Sequence, residues 1–149
     1  MRFKRFLTGI VIGFAQITAQ AFVLISEEEV GRYGSDSDSW LMPLSVSSNR
    51  SPAIEVVNPS LLAGPLPSPV SIEVAFRAED ASIDVNSFRI FYGGLRINIT
   101  SRVLEHVTLT DKGLKIHNAQ IPTGKHRLFL EVSDSKGRKA ERELRIHVQ

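Results

Sequence analysis

The stretch from Ile121 to Val148 constrains the fold of this chain more than any other. Two runs of alternating apolar and polar residues, Arg127 to Ser133 and Lys139 to Val148, flank a short turn that contains Gly137. The side chains that share the apolar side of this alternation are His126, Leu128, Leu130, Val132, Leu144, Ile146 and Val148. Because successive side chains of a strand point to opposite faces of a sheet, this pattern predicts a half-buried β-hairpin.

The same alternation recurs upstream in short runs separated by turn signals. Residues 70–77 and 87–92 alternate, Gly93-Gly94 is typical of a two-residue hairpin turn, and residues 95–99 continue the pattern beyond it. Residues 103–110 are a weaker strand candidate, whose first half equally fits a helical turn. The predicted core residues are Ile72, Val74, Phe76, Phe88, Ile90, Leu128, Leu130, Leu144 and Ile146. About seven or eight short strands over residues 52–149 predict one domain, an all-β antiparallel sandwich.

The first 21 residues have the three-part pattern of a secretory signal peptide. Three basic residues precede a short apolar run from Phe6 to Ala15, and Ala19-Gln20-Ala21 fits a cleavage motif. An uncleaved membrane anchor is the alternative, but the apolar run is about half of the ~20 residues that a spanning helix needs. We therefore expect cleavage after Ala21 and an exported protein, periplasmic or secreted, with no membrane span once the signal peptide is removed.

Residues 22–51 differ in composition from the rest of the chain. The run Glu27-Glu28-Glu29 is acidic, and residues 31–39 are rich in Gly, Ser and Asp. Neither strand nor helix periodicity is sustained, so this segment is predicted to be a flexible N-terminal arm. Within it, Trp40-Leu41-Met42 begins a small apolar cluster that is a candidate for docking on the domain or on a partner.

Charge and cysteine content exclude several classes of function. The chain has 18 Lys and Arg against 16 Asp and Glu, and three of the basic residues lie in the signal peptide, which leaves 15 against 16 in the remainder. This balance, together with the lack of a basic cluster interleaved with aromatic residues, argues against a nucleic-acid partner. The absence of cysteine excludes thiol chemistry and disulfides. No cofactor is predicted.

A resemblance to a known family covers residues 52–149. The pattern P-x-G-x-H-x-L-x-L-x-V-x-D-x-x-G-R over residues 122–138 resembles the last strands of bacterial immunoglobulin-like domains. Upstream, Ser68-Pro69-Val70, Ile83-Asp84 and Ser87-Phe88-Arg89-Ile90 resemble the B strand, the B–C loop and the C strand of that family. The resemblance implies an immunoglobulin-like or fibronectin III-like sandwich, of the kind that serves as a spacer or binding module in envelope and surface proteins.

No residue pattern typical of an active site occurs in the sequence. His106, His117, His126 and His147 form no H-x-H or H-E-x-x-H pair, and there is no Gly-x-Ser-x-Gly motif. His126, on the apolar side of its strand, is a candidate metal ligand or general base. The commoner alternative is a buried ring that hydrogen-bonds a loop carbonyl. The sequence therefore predicts a protein without catalytic residues, which is not an enzyme.

Acidic residues in two loops indicate an alternative site, which would bind a cation. Glu79, Asp80 and Asp84 lie between two predicted strands, and Asp134 lies at the hairpin turn. In an immunoglobulin-type sandwich these two loops share one end, where four carboxylates could hold Ca²⁺. Three basic residues between positions 136 and 139 would instead pair with the carboxylates. A calcium-dependent binding protein, or a small enzyme that uses this end, is therefore the alternative function.

The main candidate site lies on the outward face of the C, F and G strands. If these strands share a sheet, as the resemblance implies, parity places Arg89, Phe91, Arg127 and Phe129 on its outward face. Two phenylalanines between arginines match the composition of protein-binding patches. The structural alternatives are an Arg–Glu ladder whose two rings cover each other, or the Trp40-Leu41-Met42 cluster folded over them. The sequence thus predicts an exported, non-catalytic immunoglobulin-like module that binds a protein or glycan partner or helps to assemble the envelope or cell surface.

Overall fold

The computed structural model describes residues 21–34, 50–59 and 64–149. Two β-sheets enclose one apolar core, which confirms the predicted all-β sandwich. The first sheet contains β1 (Phe22–Val23), β2 (Ala53–Asn58), β3 (Val70–Arg77), β6 (Leu109–Thr110) and β7 (Gly113–Gln120). The second sheet contains β4 (Ile83–Tyr92), β5 (Ile97–Asn98), β8 (Gly124–Asp134) and β9 (Lys139–Val148). The described residues also form two short helices, α1 (Glu27–Tyr33) and α2 (Thr100–Leu104).

The hairpin of β8 and β9 forms as the alternation predicts. Its antiparallel register runs from Gly124 opposite Val148 to Ser133 opposite Lys139. The turn closes through Gly137, whose φ of 75° suits a residue without a side chain, and whose N–H donates to the Asp134 carbonyl over 2.8 Å. β8 also pairs with β4, so the predicted C, F and G strands do share one sheet.

The core consists of the inward-facing residues of both sheets. All nine residues predicted from parity are buried. Phe76 of β3 and Phe88 of β4 meet between the sheets, with ring centroids 5.8 Å apart. Burial of each large apolar side chain stabilises the fold by about 1.5–3 kcal/mol, so this core fixes which face of each strand is left outside.

The connection after β4 differs from the predicted two-residue hairpin. Gly93 to Arg96 form a four-residue turn, β5 is only two residues long, and α2 follows at once. Side chains end the strand here, because Asn98 Oδ1 accepts from the Thr100 N–H over 2.9 Å and Thr100 Oγ1 accepts from the Ile90 N–H over 3.0 Å. The helical alternative for the first half of residues 103–110 is therefore correct only for its beginning, since α2 ends at Leu104.

The N-terminal segment also differs from the prediction. The flexible arm predicted for residues 22–51 does not hold for residues 22–34, because β1 pairs in parallel with β7 and α1 follows it. A capping box starts the helix: Ser26 Oγ accepts from the Glu29 N–H over 3.2 Å, and the Glu29 carboxylate accepts from the Ser26 N–H over 2.9 Å. Residues 35–49 of the predicted arm, which include the Trp40-Leu41-Met42 cluster, and residues 1–20 of the predicted signal peptide lie outside the described residues.

Residues 22–34, called the N-terminal strap below, pack on the sandwich. Leu24 and Ile25 have 0% and 1% of their surface exposed, and the Phe22 ring stacks on His106 with centroids 4.2 Å apart. Val30 and Tyr33 cover further core residues. Neither helix in the described part of the chain is long and apolar enough to cross a membrane.

Candidate functional site

The outward face of the sheet β5-β4-β8-β9, called the outer face below, brings the two predicted phenylalanines together. Phe91 of β4 lies directly opposite Phe129 of β8, and both rings are half-buried. Their strands expose these rings because the alternate residues, such as Ile90 and Leu128, are buried in the core. Parity therefore predicted correctly that the two side chains are neighbours on one face.

Arg96, which the sequence reasoning missed, lies over both rings. Its guanidinium carbon is 4.7 Å from the centroid of Phe129 and 5.4 Å from that of Phe91. Arg96 Nη2 also lies 3.1 Å from Glu131 Oε1 and 2.8 Å from Glu141 Oε2. A cation over an aromatic face is attracted by about 0.5–1 kcal/mol at an exposed site. The guanidinium therefore covers the aromatic pair and is held there by two carboxylates.

The turn that carries Arg96 is fixed from two sides. The Gly93 N–H donates to the Arg127 carbonyl over 3.0 Å, and the Arg96 N–H donates to the Gly93 carbonyl over 3.1 Å. Gly93 has a φ of 67°, and a Cβ there would lie 2.7 Å from the Tyr33 carbonyl oxygen of the strap. Only glycine permits this close approach, so the strap and β8 together set the position of Arg96.

Arg127 also lies close to the Phe129 ring. Its guanidinium carbon is 5.3 Å from the Phe129 centroid, and its Nε donates to Glu143 Oε1 over 2.8 Å. The same oxygen accepts from Arg145 Nε over 2.8 Å. Burial alone would raise the pKa of Glu143, but the hydrogen bonds from Arg145 and Arg127 outweigh it and hold that pKa below its usual value. Glu143 is thus a charged carboxylate shared by two guanidiniums.

Arg89 does not join this group. Its Nη1 donates to the backbone carbonyls of Phe88, over 2.6 Å, and Asn86, over 2.8 Å. The guanidinium therefore turns back onto its own strand, away from the aromatic pair, although Arg89 lies opposite Glu131 in the strand register. Of the four residues predicted for the patch, the structure brings Phe91, Phe129 and Arg127 together, and adds Arg96. These four are called the outer patch below.

Asp134 of the acidic alternative is used by its own hairpin turn. Its Oδ1 accepts from the N–H groups of Lys136 and Arg138, each over 2.9 Å, and its Oδ2 accepts from Arg138 Nε over 2.7 Å. Burial alone would raise the pKa of Asp134, but hydrogen bonds from Arg138 and Lys136 lower it overall. Asp80 is drawn to the same cation, with its Oδ2 3.3 Å from Arg138 Nη1. The predicted pairing of these loop carboxylates with a basic residue is confirmed for Asp80 and Asp134.

The other two acidic loop residues do not complete a cation site. Asp84 Oδ1 accepts from the Asn86 N–H over 3.1 Å, and Glu79 is exposed. Over residues 21–34, 50–59 and 64–149, no three His, Cys, Asp or Glu side chains are grouped so that they could hold a metal ion.

His126 has the structural role that the sequence favours. The ring is 2% exposed, and its Nε2 donates to the Pro122 carbonyl over 2.8 Å. Nδ1 of the neutral ring is then an acceptor, and the Tyr92 hydroxyl, 3.2 Å away, donates to it. Burial lowers the pKa of His126, which favours this neutral ring.

The outer patch is therefore the best-formed candidate for binding within the described residues. It combines aromatic surface, two guanidiniums and carboxylates that fix them. No known protein-family model matches this chain, and no curated protein matches it either.

Proposed function

We propose that this chain is an exported, non-catalytic binding module with an immunoglobulin-like fold, and that it binds a protein partner through the outer patch. The observation that carries the proposal is the direct cross-strand pairing of Phe91 with Phe129 on an outward face. Aromatic residues and arginine are enriched at protein interfaces, whereas a sheet face without a partner is usually polar.

The strand order supports the immunoglobulin-like part of the proposal. The order β2-β3-β7, with β6 paired to β7, corresponds to strands A, B, E and D of an immunoglobulin sandwich. The order β5-β4-β8-β9 corresponds to an extra C′ strand followed by C, F and G. β1 has no counterpart in this scheme. The chain also lacks the cysteines of the disulfide that joins the two sheets in antibody domains.

The proposal of export, with cleavage after Ala21, rests on the signal-peptide pattern of residues 1–21. Ala21 is exposed and precedes β1, which starts at Phe22. Cleavage there would leave every described helix and strand intact. Intact-mass measurement on protein recovered from outside the cytoplasm tests this part, with an expected N-terminus at Phe22. A mass that includes residues 1–21 would contradict it.

Binding through the outer patch is tested with Phe129→Ala. Because the half-buried ring is covered by guanidiniums and lies outside the core, the substitution should lower the free energy of unfolding by only about 1 kcal/mol. Recovery of a photo-crosslinked partner from an envelope extract should fall about tenfold. Val57→Ala is the matched control, since Val57 is an exposed apolar residue on β2, in the other sheet.

Unchanged partner recovery with Phe129→Ala, together with a large loss of stability, would show that the aromatic pair is only structural. Equal losses of recovery with Phe129→Ala and Val57→Ala would place the binding surface elsewhere.

A further inference from the structure

The N-terminal strap contacts both ends of the segment that carries Arg96. This segment starts with the turn at Gly93, continues through β5 and ends with α2 at Leu104. At its first end, the Gly93 backbone lies against the last residue of α1. A Cβ added there would be 2.7 Å from the Tyr33 carbonyl oxygen and 3.5 Å from the Tyr33 Cβ. The turn and the end of the strap therefore cannot move independently without opening this contact.

The other end of the segment is held by Arg102 of α2. Its guanidinium donates to the Glu29 carboxylate over 2.8 and 2.9 Å and to the Leu24 carbonyl over 3.0 Å. The charge of Glu29 also reaches Tyr92, which immediately precedes the turn: burial raises the pKa of the Tyr92 hydroxyl, and Glu29 raises it further. The strap therefore supports the segment on both sides of Arg96.

The turn at Gly93 depends on such outside support. The strand that follows it, β5, pairs with only two residues of β4, Phe91 and Tyr92. Within the turn, Arg96 has a φ of 52°, in the left-handed region that disfavours a residue with a Cβ. A turn that loses its contact with the strap can relieve this strain by rearranging. Any such rearrangement moves Arg96 relative to the two aromatic rings that it covers.

We infer that the strap is a conformational switch for the outer patch. When it is docked on the sandwich, it fixes the turn so that Arg96 lies over Phe91 and Phe129; when it is undocked, the turn is free and Arg96 leaves the rings. The docked form binds the partner, because a preorganised patch loses less conformational entropy on binding. This effect on binding rests on the proposed function, whereas the coupling between strap and turn does not. Since coupling between two sites is reciprocal, a partner on the outer patch also stabilises the docked strap.

Amide hydrogen exchange in Arg102→Glu, followed residue by residue by NMR, tests the coupling without any partner. The new carboxylate faces Glu29, so the two like charges should weaken docking of the strap. The Leu24 N–H, which donates to the Gln120 carbonyl over 3.0 Å in the docked strap, should then exchange faster than in the wild type. This amide reports directly on undocking, because the hydrogen bond joins the strap to the sandwich.

The turn should respond together with the strap. In Arg102→Glu, the N–H groups of Gly93 and Arg96 should also exchange faster, whereas the Gly137 N–H, in the turn between β8 and β9, should keep its wild-type rate. Lys112→Glu is the matched control, because it makes the same change of charge on an exposed turn of the other sheet. It should leave all of these rates unchanged.

A pair of glycine variants tests the coupling in the reverse direction. Gly93 and Gly137 have φ values of 67° and 75°, so alanine at either position has a similar backbone cost. Only at Gly93 does the added Cβ meet the strap, since nothing lies within 4 Å of a Cβ at Gly137. Gly93→Ala should therefore accelerate exchange of the Leu24 N–H, and Gly137→Ala should not. Equal effects would overturn the coupling, and this pair decides the question if Arg102→Glu fails to fold.

Recovery of the photo-crosslinked partner tests the consequence for binding. Arg102→Glu should lower recovery about fivefold, which corresponds to a docked fraction of about one fifth. Lys112→Glu should leave recovery unchanged.

The outcomes separate the inference from the proposed function. Faster exchange at Leu24 with wild-type rates at Gly93 and Arg96 would overturn the inference. Unchanged partner recovery with Arg102→Glu, while Phe129→Ala still lowers it, would also overturn the inference and leave the proposed function in place. Conversely, if strap and turn respond together but Phe129→Ala leaves partner recovery unchanged, the coupling holds and the binding role of the outer patch fails.

Discussion

Arg102 of α2 holds Glu29 of α1 through two hydrogen bonds, from Nη1 to Oε2 over 2.8 Å and from Nη2 to Oε1 over 2.9 Å. Nη1 of the same guanidinium also donates to the Leu24 carbonyl over 3.0 Å. This one side chain therefore ties both the helix and the buried residues of the strap to the sandwich. The hydrogen bonds from Arg102 are the largest contribution that lowers the pKa of Glu29, to about 2.

The low pKa of Glu29 predicts acid sensitivity of the strap. Since the carboxyl is more acidic in the folded state than its usual value of 4.5, its contribution is complete above that value and is lost as the pH falls toward about 2. We expect a contribution of about 1–2 kcal/mol, because solvent at the partly exposed Arg102 weakens the pair. Urea unfolding should show Glu29→Gln to be less stable than the wild type at about pH 6 and the difference to shrink below about pH 3. Glu28→Gln is the control, because Glu28 pairs with Arg32 on the exposed helix surface. A difference that does not change with pH would contradict the assignment.

The buried His126 predicts a second pH effect at higher pH. Its pKa is lowered by burial, so the unfolded chain binds a proton more readily than the folded chain. The free energy of unfolding should therefore fall as the pH drops below about 6.5. The hydrogen bond of the same ring can be tested separately: in Tyr92→Phe, Nδ1 of His126 loses its donor, which should lower the free energy of unfolding by about 1 kcal/mol at neutral pH. His126→Gln should remove the slope between about pH 5 and 6.5, measured by thermal unfolding. A slope that persists in His126→Gln would assign the effect to another histidine.

Leu24 tests whether the N-terminal strap belongs to the core. Its side chain is fully buried, so Leu24→Ala should lower the free energy of unfolding by about 2–5 kcal/mol. Val23→Ala is the adjacent control, since half of the Val23 surface is exposed, and it should change stability by less than about 0.5 kcal/mol. Denaturant titration of both variants decides between a docked strap and a flexible arm. Equal and small effects would favour the arm.

Arg96 makes stabilising side-chain contacts but has an unfavourable backbone conformation. Its φ of 52° lies in the left-handed region, which disfavours residues with a Cβ by roughly 1–2 kcal/mol. Arg96→Ala keeps that cost and loses the contacts with the two rings and two carboxylates, whereas Arg96→Gly loses the same contacts and relieves the backbone. Unfolding measurements should therefore show the glycine variant to be more stable than the alanine variant by about 1 kcal/mol. The opposite order would mean that the turn adopts another conformation in solution.

Much of the sandwich follows from alternation in the sequence, because burial of one face leaves a strand a single register. The inward positions of Ile72, Ile90, Leu130 and Ile146 were predictable for that reason. The docking of the strap was not predictable. β1 has only two residues and pairs with a strand almost 100 residues later in the chain, and no local sequence pattern reveals such a pairing. Ser26 followed by Glu29 was a usable signal for the start of a helix, within what composition alone suggested was an unstructured arm.

The sequence was enough to predict the strand residues of the candidate site, but not the residue that the turn contributes. Parity is enough to place Phe91 beside Phe129 once β4 and β8 are neighbours. Arg96 reaches the rings only because the turn has four residues and one left-handed arginine, a geometry that Gly93-Gly94 by itself does not specify. Arg89 has the expected parity, but the nearby carbonyls compete for its guanidinium.

The position of Arg89 also bears on how the sheet ends. β5 covers only Phe91 and Tyr92, so most of the outer edge of β4 has no neighbouring strand within the described residues. Open edges of this kind present backbone acceptors on which a second chain can add as a further strand, the first step of edge-to-edge aggregation. On this edge, Arg89 Nη1 already occupies the carbonyls of Asn86 and Phe88. Arg89 thus blocks two of the acceptors on which the sheet could otherwise grow, in the place that a longer neighbouring strand would fill.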